Sequence, residues 1–359
     1  MKLQSHDITT EFLQHCDRLG HDRAKAQSAD GDLRYSLIPD IDTYRSFLGS
    51  SAEQRATRVA EFFNPPISMR SRLGQGLHDR GEAAVFAVHD LSEEDRAALA
   101  IHLPLHMRTQ SIAHVSVPAG QCWDVSVRGD EVWGLDEMEE LYSTLNIGTL
   151  VLEPGASLVV RGNVFVMLCQ HLIVQEPRGA YQIGILPTPY SVDYGSGPMR
   201  GADGGHGADG GAGRDGTPLQ TVETFVGPRL RAPLQPGQLD GQPGGDGAAG
   251  GRGGHGRNGG MSKLAELTLR HVTGHLTVFA KAGQGGDGGD GGNGGLGGDG
   301  GAAMPGGRLF EGEIPPGRPG DGGRGGAGGD GGSAGNGGLA SNIYITVPET
   351  ALSQVTCHA

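Results

Sequence analysis

Aromatic residues are scarce in this chain of 359 residues, which has nine Phe, seven Tyr and two Trp. Between residues 201 and 339 there are three Phe (Phe225, Phe279 and Phe310) and neither Trp nor Tyr, so that stretch cannot fill a conventional core. Lysine is rarer: Lys2, Lys25, Lys263 and Lys281 are the only four among 28 Lys and Arg. Against 41 Asp and Glu these leave a formal net charge of −13 and no basic patch, which argues against nucleic acid as a partner. Four cysteines (Cys16, Cys122, Cys169 and Cys357) stand too far apart for a CxxC centre or a paired zinc knuckle, and free thiols are expected. No window approaches 18 apolar residues, so no membrane span is expected. The N-terminal Met-Lys-Leu-Gln-Ser-His-Asp lacks the apolar segment of a secretory signal, which makes the cytoplasm the default location.

Glycine is what the chain has in excess. Of 67 Gly, 51 fall within residues 201–339, and the ordinary globular signals lie in residues 1–200. Ile8, Phe12, Cys16 and Leu19 predict an amphipathic helix over 5–19. Ser51 with Gln54, and Ser92 with Asp95, read as helix starts. The first 110 residues are therefore expected to form a mostly α N-terminal module. Near residue 111 the period shortens. Residues 112–117, 125–127, 150–152, 158–160, 164–168 and 172–174 are short apolar strands, and Pro154-Gly155 is one of the turns between them. This predicts a β-solenoid or sandwich-like domain over 111–200. Strand-like pieces return at 265–269, 276–279 and 343–347, the last in a C-terminal segment over 340–359.

The glycines of 201–339 keep a strict period of three. They fall at 201, 204, 207, 210, 213 and 216, and again from 241 to 259. Residues 285–302 and 322–339 read Gly-Gly-X, broken only at Ala334. A flexible linker has no need to hold such a phase. Three residues per turn is the period of a left-handed polyproline-II-type helix, which has no internal hydrogen bonds, so its backbone groups must pair between helices. The expectation is a bundle of polyglycine-II helices with inserted strands. Side chains such as Ala202, Ala208, Gln242 and Arg257 at the second triplet position place the first two runs at its margin and the last two at its centre.

This glycine pattern resembles the glycine-rich domain of the distal tail-fibre adhesins of T-even-like phages and, less closely, the repeats of PE-PGRS proteins. The adhesin resemblance implies a polyglycine-II bundle whose intervening segments contact a host receptor, and a location on a virion or cell surface. The N-terminal part departs from that pattern.

Chemical motifs are few. GxGxxG occurs without a flanking strand and helix, and no P-loop or GxSxG elbow is present. His102/His106 and His271/His275 lack a nearby Cys or Glu at ligand spacing. Asp30/Asp32 and Asp40/Asp42 read as turn and cap residues. Asp287, Asp290 and Asp299 lie roughly 9 Å apart or more along a polyglycine-II helix, too far to share one cation. No metal or cofactor is expected, and enzymatic activity is not favoured. The connections 217–240 and 303–321 break the triplet phase and carry the exposed apolar candidates Phe225, Leu230, Leu309 and Phe310, with Arg229, Arg231, Arg308 and Phe310 as the candidate anchors of a contact surface for a protein or glycan. The expected function is a non-enzymatic structural or adhesive protein. A solenoid enzyme acting on polysaccharide and a cytoplasmic protein-binding scaffold are the alternatives.

Overall fold

The structure is a computed structural model, and it describes residues 10–56, 85–86, 90–135, 140–187, 200–260, 262–338 and 342–358. It divides into two compact units that do not follow chain order. One comprises Met1–Ser196, Gly259–Gln284 and Gly337–Ala359; the other comprises Gly197–Asn258 and Gly285–Asn336. The four consecutive segments expected from the sequence are thus regrouped, because the chain leaves the first unit and returns to it twice.

The first unit is α/β. Its strands are β1 (Asp32–Ile38), β2 (Leu105–Val117), β3 (Cys122–Asp124), β4 (Leu141–Leu152), β5 (Ser157–Arg161), β6 (Val164–Val174) and β7 (Ile183–Leu186). The second unit holds the hairpins β8 (Thr221–Thr224)/β9 (Gly227–Leu230) and, later, β12 (Gly307–Leu309)/β13 (Gly312–Ile314). Between and after these the first unit adds β10 (Ala265–Thr273), β11 (Leu276–Ala280), β14 (Ile343–Thr346) and β15 (Val355–His358). A six-stranded sheet has the order β1-β2-β4-β6-β10-β14, and a five-stranded sheet the order β15-β11-β7-β5-β3. All neighbours are parallel except β1, which runs antiparallel to β2.

The expected succession of a mostly α N-terminal module and a solenoid or sandwich is corrected by this mixed, parallel-rich α/β unit. The described α-helices number six and span only four to nine residues: α1 (Thr10–Arg18), α2 (Arg23–Ala26), α3 (Ile41–Arg45), α4 (Ala52–Ala56), α5 (Glu93–Leu99) and α6 (Gly129–Val132). The N-terminal region supplies the edge strand β1 and the start of the 13-residue β2. Both faces of the larger sheet are buried through its central parallel strands β4 and β6, as parallel strands require. One face meets the smaller sheet through Leu145, Ile147, Met167, Leu267, Leu158 and Val278. The other is covered by Ile41, Tyr44, Phe47 and Leu99 from the N-terminal segments. Ala113, Gly148, Gln170 and Arg270 drop out of the strand register together, and the inward alternation resumes one residue late in all four strands. Since every neighbour shifts at the same place, pairing survives beyond it.

In the second unit four glycine runs lie side by side, joined by 29 backbone hydrogen bonds of 2.7–2.9 Å. We call residues 201–216 run A, 241–258 run B, 285–302 run C and 317–336 run D. Run A donates to run C, run B to runs A and D, run C to run B, and run D to run C, each at intervals of three residues. Runs B and C therefore each pair with all three others, while A and D pair with two. The expected layering is corrected accordingly: C is central, but the second central run is B, and D is outer. A Cβ at Gly292 in run C would lie 1.9 Å from the Gly205 carbonyl oxygen, whereas one at Gly328 in run D meets only the Gly292 oxygen, at 3.8 Å. Side chains complete the pairing. Asp203 and Asp209 of run A accept from the amides of Asp290 and Leu296, and Asp246 and Asn258 of run B accept from those of Arg324 and Asn336.

Candidate contact surface

Run A continues into β8/β9 and run C into β12/β13, and because A and C are parallel both connections emerge at one end of the run assembly. The hairpins share a design. Thr224 pairs with Gly227 across Phe225-Val226, and Leu309 with Gly312 across Phe310-Glu311. Each two-residue turn thus starts with Phe and is followed by a glycine in a positive-φ conformation (φ 117° at Gly227, 140° at Gly312), which an L side chain rarely adopts. The Thr224 hydroxyl donates to the Gly227 carbonyl at 2.7 Å and closes the first turn.

The structure brings the hairpins together. The Phe310 amide donates to the Pro228 carbonyl at 3.0 Å, and the Arg229 guanidinium stands 4.7 Å from the centre of the Phe310 ring, within cation–π range. Arg229 Nε is buried without a hydrogen-bond partner, so the ring face is its main compensation. Deeper in, the Met304 amide donates to Leu239 and the Gly317 amide to Met304, which fasten the two connections at the end of the runs. Of the four candidate anchors, Arg229 and Phe310 are in contact. Arg308 is exposed and lies across the hairpin from Glu313; Arg231 is exposed, with its amide donating to Gln220.

The exposed apolar candidates Phe225 and Phe310 stand at the two turn apices, a placement the sequence reasoning did not make. Phe225 is fully exposed and Phe310 about half (54%), and Val222 and Val226 are also exposed. The repeated Phe-X-Gly of the two connections is the signal that could have found them. Two shallow grooves flank the hairpins. One, of about 320 Å³, is lined by Leu219, Pro228, Pro305, Arg308 and Leu309; the other, of about 300 Å³, by Leu230, Pro233 and Leu234.

Other candidates have structural roles. His106 packs edge-on against Trp133, His171 stacks on His271, and His275 Nε2 meets the Thr356 hydroxyl at 3.0 Å. Asp40 caps α3 by accepting from the Thr43 amide, and Asp42 pairs with Arg96. Cys16 and Cys169 are buried free thiols, while Cys122 and Cys357 are exposed. Among the described residues no group of three His, Cys, Asp or Glu is placed to hold a metal ion, and no helix is long and apolar enough to cross a membrane. Comparisons of the chain with protein-family models, with curated proteins and with solved structures returned no match.

Proposed function

We propose that the chain is a non-enzymatic binding protein in which the hydrogen-bonded glycine runs hold the β8/β9 and β12/β13 hairpins against a protein or glycan partner. The observation that carries this reading is the placement of Phe225. Its ring is fully exposed at the apex of a turn that is itself tied to a second hairpin and to the end of the runs. Exposing an aromatic ring forgoes roughly 1.5–3 kcal/mol of burial, and the turn needs only the glycine that follows it. An exposed aromatic at the apex of a held turn, with the Arg229–Phe310 pair in the adjoining hairpin, has the composition of an interface anchor.

The test is binding of the full chain and of a Phe225→Ser/Phe310→Ser variant to a glycan array and to a displayed peptide library. The expected result is a ligand class retained by the parent chain and weakened at least tenfold in the variant, with unchanged melting. Undiminished binding by a folded variant refutes the assignment.

A further inference from the structure

Strand β1 lies at the edge of the six-stranded sheet, and its position leaves two surfaces open. Each other strand of that sheet is followed along the chain by a strand of the smaller sheet (β2 by β3, β4 by β5, β6 by β7, β10 by β11, β14 by β15), and the two sheet orders match. Among the described residues, the smaller sheet has no strand for β1. Leu33, Tyr35 and Leu37 sit on the core-facing side, in register with Gln110, Arg108 and His106, yet they remain 38%, 48% and 51% exposed. Tyr35 continues the patch by packing edge-on against Trp133 at 5.9 Å. Among the described residues, no strand lies beside the backbone edge of β1 away from β2. Free edges are normally blunted by Lys, Pro or a bulge. Within β1 there is none, and Asp32 and Arg34 are engaged with each other on the opposite face.

In β1, Asp-Leu-Arg-Tyr-Ser-Leu-Ile, the exposed Leu33 and Leu37 stand symmetrically about Tyr35. We propose that β1 pairs antiparallel with β1 of a second copy of this chain, about a two-fold axis at Tyr35, joining the two six-stranded sheets into one. In that register Leu33 faces Leu37 of the second copy, Tyr35 faces Tyr35, and Arg34 faces Ser36, so no like charges oppose each other. Moving the axis one residue back sets Arg34 against Arg34 and leaves Leu37 opposite Gly31. Moving it one residue forward brings Pro39, which has no amide, opposite Leu33. Side-chain match, charge and backbone donors therefore select one register. The surface is separate from the hairpins of the second unit, so it stands or falls independently of the function proposed above.

Cross-linking reads the register directly. Opposed residues of an antiparallel pair have Cα atoms about 4.5–5.5 Å apart, within disulfide range. Leu33 and its own symmetry mate would be displaced by four residues, about 13 Å. In a full-length chain carrying Cys122→Ser and Cys357→Ser, Tyr35→Cys should oxidise to a disulfide-linked dimer, and Leu33→Cys should not. In the unmodified chain, light scattering after size exclusion should give the dimer mass, and Leu33→Lys/Leu37→Lys should give the monomer mass with an unchanged melting profile. A parent chain that stays monomeric at high micromolar concentration overturns the proposal. So does cross-linking that is equal at both positions, or a dimer indifferent to the double lysine variant.

Discussion

Replacing Gly292 with alanine should open the centre of the glycine assembly, and the loss can be worked from three neighbours. A Cβ built there lies 1.9 Å from the Gly205 carbonyl oxygen and 2.6 Å from its carbon. A carbon–oxygen contact needs about 3.3 Å, so run A must retreat by about 1.4 Å at that point. The bonds that cannot follow are Gly204 to Asp290, Gly207 to Asn293 and Gly251 to Gly205, at 2.7–2.8 Å, together with the bond from the Asp290 amide to Asp203. At about 1 kcal/mol each, somewhat more for the carboxylate, the loss is about 3–5 kcal/mol. Gly205→Ala and Gly328→Ala are the controls. The first Cβ meets nothing within 4 Å and the second only an oxygen at 3.8 Å, and neither glycine has a positive φ. Both should be neutral or stabilise by about 0.4–1 kcal/mol by restricting the unfolded chain. Urea unfolding, with hydrogen exchange read on peptides from 285–302, compares the three. A Gly205→Ala variant as unstable as Gly292→Ala would refute the assignment of A, B, C and D.

Further outcomes follow from single contacts. Asp209→Ala removes the acceptor 2.7 Å from the Leu296 amide and should cost about 1 kcal/mol and speed exchange there, with Asp209→Asn restoring most of the protection. Burial holds His15 and His21 down to about 4, with Arg18 adding to the effect at His15 and Arg34 and Lys25 at His21. Both are thus neutral when folded but protonate near 6.5 when unfolded, so stability is full above pH 6.5 and falls until about pH 4, by on the order of 3 kcal/mol per group. Denaturation series from pH 7 to 4 should show His15→Leu flattening this loss without penalty, because neither His15 nitrogen has a partner. His21→Leu should flatten it too but destabilise at pH 7, by removing the ring that the Ser111 and Thr109 hydroxyls meet at 2.7 and 2.9 Å, with Asn146 still donating to Ser111.

Local signals in the sequence were legible where a few neighbouring residues decide the outcome. The Ser51/Gln54 and Ser92/Asp95 starts form reciprocal capping bonds, and Phe12 and Cys16 face inward from α1. The triplet phase is the interval at which the runs bond. The N-terminal strands were missed for a physical reason. The sheet face under α1 and α2 is buried yet polar, with Thr109, Ser111, Thr144 and Asn146 in the strands, so β2 and β4 show no clean apolar alternation. Run B was misplaced because side chains at its second triplet position were read as blocking a neighbour. The gap towards run A nevertheless accepts the side chains of Gln242 and Ala248, whose amides bond to Arg214 and Ala208, while a Cβ at Gly251 or Gly245 would stand a tight 3.0 or 3.2 Å from the nearest run A amide nitrogen. Run D keeps Gly322, Gly325 and Gly328 although no backbone approaches within 3.6 Å of a Cβ there, and nothing in the structure requires them. At the candidate surface, the pairing of Arg229 with Phe310 depends on two segments roughly eighty residues apart, a relation that becomes visible once A and C are known to be parallel.

The side chains that cap run C lie 87 residues before the amides they serve, and those that cap run D lie 78 before theirs. Within each set the capping residues follow one another at multiples of three, so the assembly reads its own chain in a frame. Loss of one residue inside a run would bring side chains beyond it into places where only glycine fits against a neighbouring backbone, much as a frameshift garbles codons. Loss of a whole triplet, matched in the adjoining runs, would merely shorten the stack. The hairpin connections lie outside this frame. A change of length in a connection leaves the triplet phase of the runs on either side of it intact.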